Sequence, residues 1–241
     1  MNRSPQIIKR KIGTVHIIDL RGEFVGPWAL RGKEEIALFV KNQKTRNLLF
    51  NLRGLSTVDS LGVKAVTENL SPDMRCGLVV GNLSVMQMFS RVASGSNLKF
   101  FKTEEEIIQY FGQDLVKWEE KTYEEKRRHQ RLKTALALGF SFTDEKGERV
   151  FFSAVVTDLS EGGLLAEYLD LDRESFHRMK LSPYDFHMLD LKIMLPGFGE
   201  VEAQGKVVRT FIDRDQVEIG IEFSDISPED VFRIGNFLKT S

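Results

Sequence analysis

Two clusters of side chains able to hold an anion lie in the second half of the sequence: Lys126, Arg127, Arg128 and Arg131, then Asp158, Ser160, Gly162 and Gly163. Arg127 and Arg131 stand at i and i+4, which puts them on one side of a helical turn or of an extended segment, so both can grip one ligand. A guanidinium forks onto phosphate oxygens or onto guanine O6 and N7, where a lysine supplies only a point charge. Asp158 is a hydrogen-bond acceptor, Ser160 offers a hydroxyl, and Gly163 permits a tight turn or a close backbone approach. Between the clusters, Arg149 to Thr157 reads as a strand, so a basic segment and a glycine turn can be folded towards one another around an anionic, purine-bearing ligand. Arg209, on a later strand in the same half, is a candidate for the rim of such a pocket.

The rest of the chain offers no competing chemistry. It contains no phosphate-binding glycine loop, metal-ligand spacing or nucleophile elbow, so neither a catalytic set nor a metal or cofactor is expected. His16 sits inside an apolar run and reads as a structural histidine. Cys76, the single cysteine, reads as a small buried apolar residue. Acidic and basic residues balance at 35 against 34, which leaves no overall field towards nucleic acid or an anionic bilayer. The local basic block from Lys126 to Lys133 is short, lacks interleaved aromatics and follows Glu119, Glu120, Glu124 and Glu125, so nucleic acid is not an expected partner. The first residues lack the apolar core of a signal peptide, and no apolar run approaches the roughly 18 residues of a membrane span. The expectation is a soluble, cytoplasmic protein without membrane insertion. At 241 residues the length suggests two domains of about 110 residues each.

The elements that must position these residues differ between the halves. In the first, strand-like runs at Val15 to Leu20, Leu48 to Leu52, Gly77 to Val80 and Leu98 to Phe101 alternate with amphipathic stretches. One such stretch begins after Pro27 and another after Ser60, a third carries Val85, Met88, Phe89 and Val92, and a fourth opens on a capping box of Thr103 and Glu106. Alternation of this kind predicts a parallel or mixed sheet covered by helices. Leu20-Arg21-Gly22-Glu23-Phe24 after a strand, with Val58-Asp59-Ser60-Leu61-Gly62-Val63 opening a helix, resembles the STAS domain of anti-sigma-factor antagonists over about residues 6 to 112. The resemblance implies a protein-interaction domain switched by phosphorylation at the position of Ser60. Leu61 departs from the pattern, since a second small hydroxyl residue is usual there. Read from the residues alone, Asp59 or Ser60 caps a helix, a role worth about 1 kcal/mol.

Beyond Gly112 a charged stretch runs from acidic to basic, an order that suits a solvated connecting helix. Strand-like runs then follow at Ala135 to Phe142, Arg149 to Thr157, Leu189 to Leu195, Val201 to Ile212 and Val217 to Phe223, with Ser227 and Pro228 opening a terminal helix. Antiparallel strands in this number predict a small barrel. Residues 167 to 187 form a longer connection that reads either as a short helix packed on the barrel or as a partner-binding or ligand-responsive lid. Arg127 to Arg131 followed by Asp158-Leu159-Ser160-Glu161-Gly162-Gly163 resembles the paired RxxxR and DxSxxG motifs of PilZ domains, with Gly220-Ile221-Glu222-Phe223 in support. The resemblance covers residues 123 to 240. It implies a six-stranded barrel, an arginine segment preceding the first strand, and cyclic di-GMP as ligand. Arg127, Arg131, Asp158, Ser160 and Gly163 would then bind the ligand, with Lys126, Arg128, Gly162 and Arg209 secondary. The domain reading is 1–112 STAS-like, 113–125 a helical linker, and 126–241 PilZ-like. The expected function is a non-enzymatic receptor whose ligand locks the joint between domains and changes contact with a protein partner.

Overall fold

In the computed structural model, residues 5–92, 98–116, 131–143, 147–168, 188–213 and 216–240 are described, and the chain divides into two compact units, Met1–Asp114 and Leu115–Ser241. The first is built around β2 (Val15–Phe24), whose Val15, Ile17, Ile18 and Leu20 are fully buried. β1 (Gln6–Ile12) pairs with it antiparallel, while β3 (Asn47–Asn51), β5 (Arg75–Val79) and β6 (Leu98–Phe101) extend the sheet in parallel, and β4 (Leu55–Val58) pairs with the far end of β2. The sheet order is β1-β2-β3-β5-β6. Parallel steps require crossovers. α1 (Gly26–Gln43), α2 (Ser60–Thr67) and α3 (Leu83–Val92) supply them, and α4 (Glu104–Phe111) follows β6. Ile36, Val63, Val66, Val85 and Phe89 pack with Leu20, Leu48, Phe50 and Leu78 in one apolar cluster, the mixed α/β arrangement expected from the sequence.

Two strands of this unit are not visible in the apolar pattern. β1 carries Lys9, Arg10 and Lys11, charges that suggest a solvated start, yet the Arg10 guanidinium is buried against Asp19. Its Nε and Nη2 donate to the Asp19 carboxylate at 2.6 and 2.8 Å, and Asn51 Nδ2 donates to the same group at 2.7 Å. A buried carboxylate needs such partners, and a forked guanidinium provides two at once. β4 is short and exposes Ser56 and Thr57, so it lacks the length of a periodic signal.

Helix entrances follow the expected capping with one difference. Asp59, not Ser60, caps α2: its carboxylate accepts from Gly62 N at 2.8 Å and also from Gly26 N at 2.8 Å, tying the starts of α1 and α2 together. Thr103 Oγ1 accepts from Glu106 N, but Glu106 Oε2 accepts from Lys102 N and not from Thr103 N. The expected reciprocal box is thus shifted by one residue on its return arm. A 3-10 turn, Gly112–Leu115, closes the α/β elements. Of the expected linker, 113–125, residues 117–125 lie outside the described residues, as do 126–130; of the expected connection 167–187, Glu167 and Tyr168 belong to a strand, Gly163–Tyr168, and 169–187 lie outside the described residues.

The second unit is a closed antiparallel barrel of β7 (Arg131–Thr143), β8 (Arg149–Ser160), β9 (Gly163–Tyr168), β10 (Met188–Leu195), β11 (Gly199–Asp213) and β12 (Gln216–Ile226), in the order β10-β11-β12-β9-β8-β7. Closure leaves no sheet edge unpaired. Leu136, Leu138, Phe140, Val156, Leu164, Leu191, Ile193, Ile219 and Ile221 fill the interior. α5 (Pro228–Thr240) adds Ile234, Phe237 and Leu238 to this core, and Ser227 Oγ caps it by accepting from Asp230 N at 3.0 Å. β9 has no counterpart among the strands read from sequence, although Leu164, Ala166 and Tyr168 alternate with Leu165 and Glu167. It supplies the sixth strand, and it places the glycine turn inside a hairpin.

Candidate functional site

Register across the barrel decides which side chains share a surface, because directly paired residues project to the same face. One row runs Arg131–Ser160–Gly163–Glu222–Lys206, and the next runs Lys133–Asp158–Leu165–Gly220–Arg209. The row between them, Leu132–Leu159–Leu164–Ile221–Val207, points into the core. Arg131, Asp158, Ser160, Gly163 and Arg209 therefore lie on one outer face. Three strand spacings separate Asp158 from Arg209, about 14 Å, so the face forms a tray with cations at both ends.

Arg131 is the first residue of β7. It belongs to the barrel and not to a preceding hinge, a correction to the sequence reading. The apolar alternation begins only at Leu132, which hides the strand's charged first residue. Arg127, Arg128 and Lys126 lie outside the described residues.

Asp158 and Ser160 end β8 as buried polar residues at 3% and 7% exposure, where strand ends are usually solvated. Lys133 Nζ stands 3.1 Å from Asp158 Oδ2, and Arg131 Nη1 stands 3.9 Å from the same oxygen. Ser160 Oγ donates to Gly163 O at 3.0 Å and so braces the two-residue turn at Glu161 and Gly162. Gly162 O accepts from Phe223 N at 3.0 Å, joining the turn to β12. At Gly163 a Cβ would meet Ile221 O at 2.2 Å, so the close packing of β9 on β12 requires glycine there.

Lys133, Lys206, Glu222 and Gly220 share these rows but were not singled out as contacts by sequence reasoning. The signal for Lys133 is its alternation with Arg131 along one strand. The positions of Lys206 and Glu222 follow only from the pairing of β11, β12 and β9.

Other candidates fall elsewhere. Ser60 is exposed as the first residue of α2 in the N-terminal unit. His16 Nδ1 lies 3.1 Å from Thr45 Oγ1 and its ring meets Phe39 edge-on, so the side chain is structural. Burial lowers its pKa, with Lys11 adding to the shift. Among the described residues no cluster of His, Cys, Asp or Glu could hold a metal, and no helix is long and apolar enough to cross a membrane.

The DxSxxG hairpin thus belongs to a closed six-stranded antiparallel barrel that carries a terminal helix. The PilZ domain family model matches residues 125–239, and this part of the chain is a PilZ domain. Similar solved structures include the Bacillus subtilis inhibitor of motility (MotI/DgrA), at 20% identity over 48% of this chain and 51% of that one, with a TM-score of 0.37. The chain thus spans about half the length of that protein. The PilZ domain of YcgR from Escherichia coli, solved with c-di-GMP, is similar at 13% identity over 48% of this chain and 91% of that one, with a TM-score of 0.35. An anti-sigma factor antagonist from Mycobacterium paratuberculosis is similar at 14% identity over 44% of this chain and 92% of that one, with a TM-score of 0.39. No curated protein matches the sequence.

Proposed function

We propose that this protein is a receptor for cyclic di-GMP that acts by protein contact and not by catalysis. The observation that carries the reading is the buried Asp158 carboxylate, set on an outer barrel face beside Arg131 and Lys133 and next to Ser160 and Gly163. A carboxylate there can accept from N1–H and the exocyclic amine of guanine, a donor pair that adenine lacks. Arg131 meets phosphate or guanine O6 and N7. Ser160 adds a hydroxyl, and Gly163 lets the ligand approach the backbone. Arg209 and Lys206 border the far side of the tray. The PilZ family match supports the ligand class.

In this reading Arg127, Arg128 and Lys126 bring the connecting segment onto the same ligand. Binding then favours those positions of the segment that let Arg127 and the barrel be engaged together, and this differential affinity changes how the STAS-like unit is presented to its protein partner. Isothermal titration of the full chain with cyclic di-GMP tests the proposal. Binding is expected in the wild type and lost in Arg127→Ala, Arg131→Ala and Asp158→Ala, with each variant folded by circular dichroism.

A second reading is favoured by one observation: the Ser60 hydroxyl is exposed at the start of α2, while Asp59 serves as the cap. Phosphorylation there would add roughly two negative charges and three strong acceptors to an interaction surface. This reading predicts a phosphate on Ser60 after incubation with a cognate kinase and no nucleotide binding by the barrel.

A further inference from the structure

We infer that Lys133 is a resident counter-ion of Asp158, which the ligand must displace, so that this lysine sets a threshold for binding. The inference rests on the reading of the barrel face as a guanine-binding site.

Asp158 is 4% exposed at its side chain, and among the described residues Lys133 is its nearest cation, at 3.1 Å against 3.9 Å for Arg131. Both approach the same oxygen, Oδ2. The placement is built into the strand register: Lys133 is directly opposite Asp158, and the pairing of β7 with β8 becomes irregular immediately afterwards, between Lys133 and Leu136. A guanine edge presents two adjacent donors and matches a carboxylate through both of its oxygens. Seating that edge on Asp158 therefore brings it into competition with Lys133 for Oδ2.

The chemistry of the two cations separates their roles. Arg131 is half-exposed and has a planar fork with five donors, suited to reach outward to a ligand. Lys133 is less exposed, at 29%, and ends in a single ammonium on a flexible stem, so it can leave the carboxylate without unfolding the strand. Once released, it faces the solvent side of the tray, where attraction to a ligand phosphate is screened by water and salt. The ion pair it abandons surrounds a buried charge and is the stronger of its two interactions. Among the described residues, removing the ammonium leaves the unliganded carboxylate with the more distant Arg131 as its cation, and guanine then restores the missing donors. Removal should consequently tighten binding.

The test compares wild type, Lys133→Met and Arg131→Ala by calorimetric titration of the full chain with cyclic di-GMP. Lys133→Met keeps the stem, and Lys133→Gln serves if that variant does not fold. The expected result is about tenfold tighter binding in the Lys133 variant, equivalent to 1.4 kcal/mol, with binding lost in Arg131→Ala. Without ligand, Lys133→Met should melt below wild type, and the same change in an Asp158→Asn background should leave the melting temperature unmoved. Equal or weaker binding by the Lys133 variant, with Arg131→Ala still losing the ligand, overturns the inference and leaves the site reading intact. A folded wild type that does not bind overturns the site reading and this inference with it.

Discussion

Replacing Gly163 by alanine should destabilise the barrel far more than the added methyl suggests. The new Cβ would lie 2.2 Å from Ile221 O and 3.1 Å from Glu222 Cα, and both obstacles are backbone. No side chain can rotate away, so β9 and β12 must move apart where Gly163 pairs with Glu222 and Phe223 N reaches Gly162 O. Overpacking a close contact costs about 3 kcal/mol. For a unit of this size, that corresponds to a fall of roughly 10 °C in melting temperature. Gly139 supplies the control, since its Cβ would meet nothing within 4 Å. Alanine there should stabilise by about 0.5 kcal/mol through the entropy of the unfolded chain. Differential scanning calorimetry of the two variants reads both effects. Equal melting temperatures for Gly163→Ala and wild type would refute the close approach of β9 to β12.

The N-terminal unit gives further expectations. Asp59→Ala removes acceptors from Gly26 N and Gly62 N together, so urea denaturation should show a loss of about 2 kcal/mol, twice that of an ordinary cap. Burial lowers the folded-state pKa of His16, so below about pH 6.5 the unfolded chain binds the proton first and stability falls with pH. His16→Gln should flatten that limb of a melting-temperature profile against pH. Burial also pushes the Cys76 thiol up to about 12, and a thiol reagent should modify it only as the unit unfolds.

Much of the architecture was legible because apolar periodicity reports burial directly. Leu191, Ile193 and Leu195 alternate with exposed residues in β10, and the same signal marks β12. Periodicity failed where polar groups are buried in pairs. Arg10 looks solvated in a sequence, and only the position of Asp19 across the hairpin shows that its charge lies inside. β7 reads from the sequence as starting at Ala135 because the exposed Arg131 and the charged Lys133 mask its first residues, which the structure places in the strand. The DxSxxG motif marked the turn correctly, but the need for Gly163 comes from Ile221, which is distant in sequence. Lys133 was invisible as a partner of Asp158 because that contact depends on the register of two strands, a quantity fixed by the whole barrel.

The most direct test of the central claim is a calorimetric titration of the intact protein with cyclic di-GMP, run alongside Asp158→Ala and Arg131→Ala. The account predicts saturable binding to the wild type and none to either folded variant. Binding that persists unchanged in both variants, or a folded wild type that gives no heat and no thermal shift with the ligand, would contradict it.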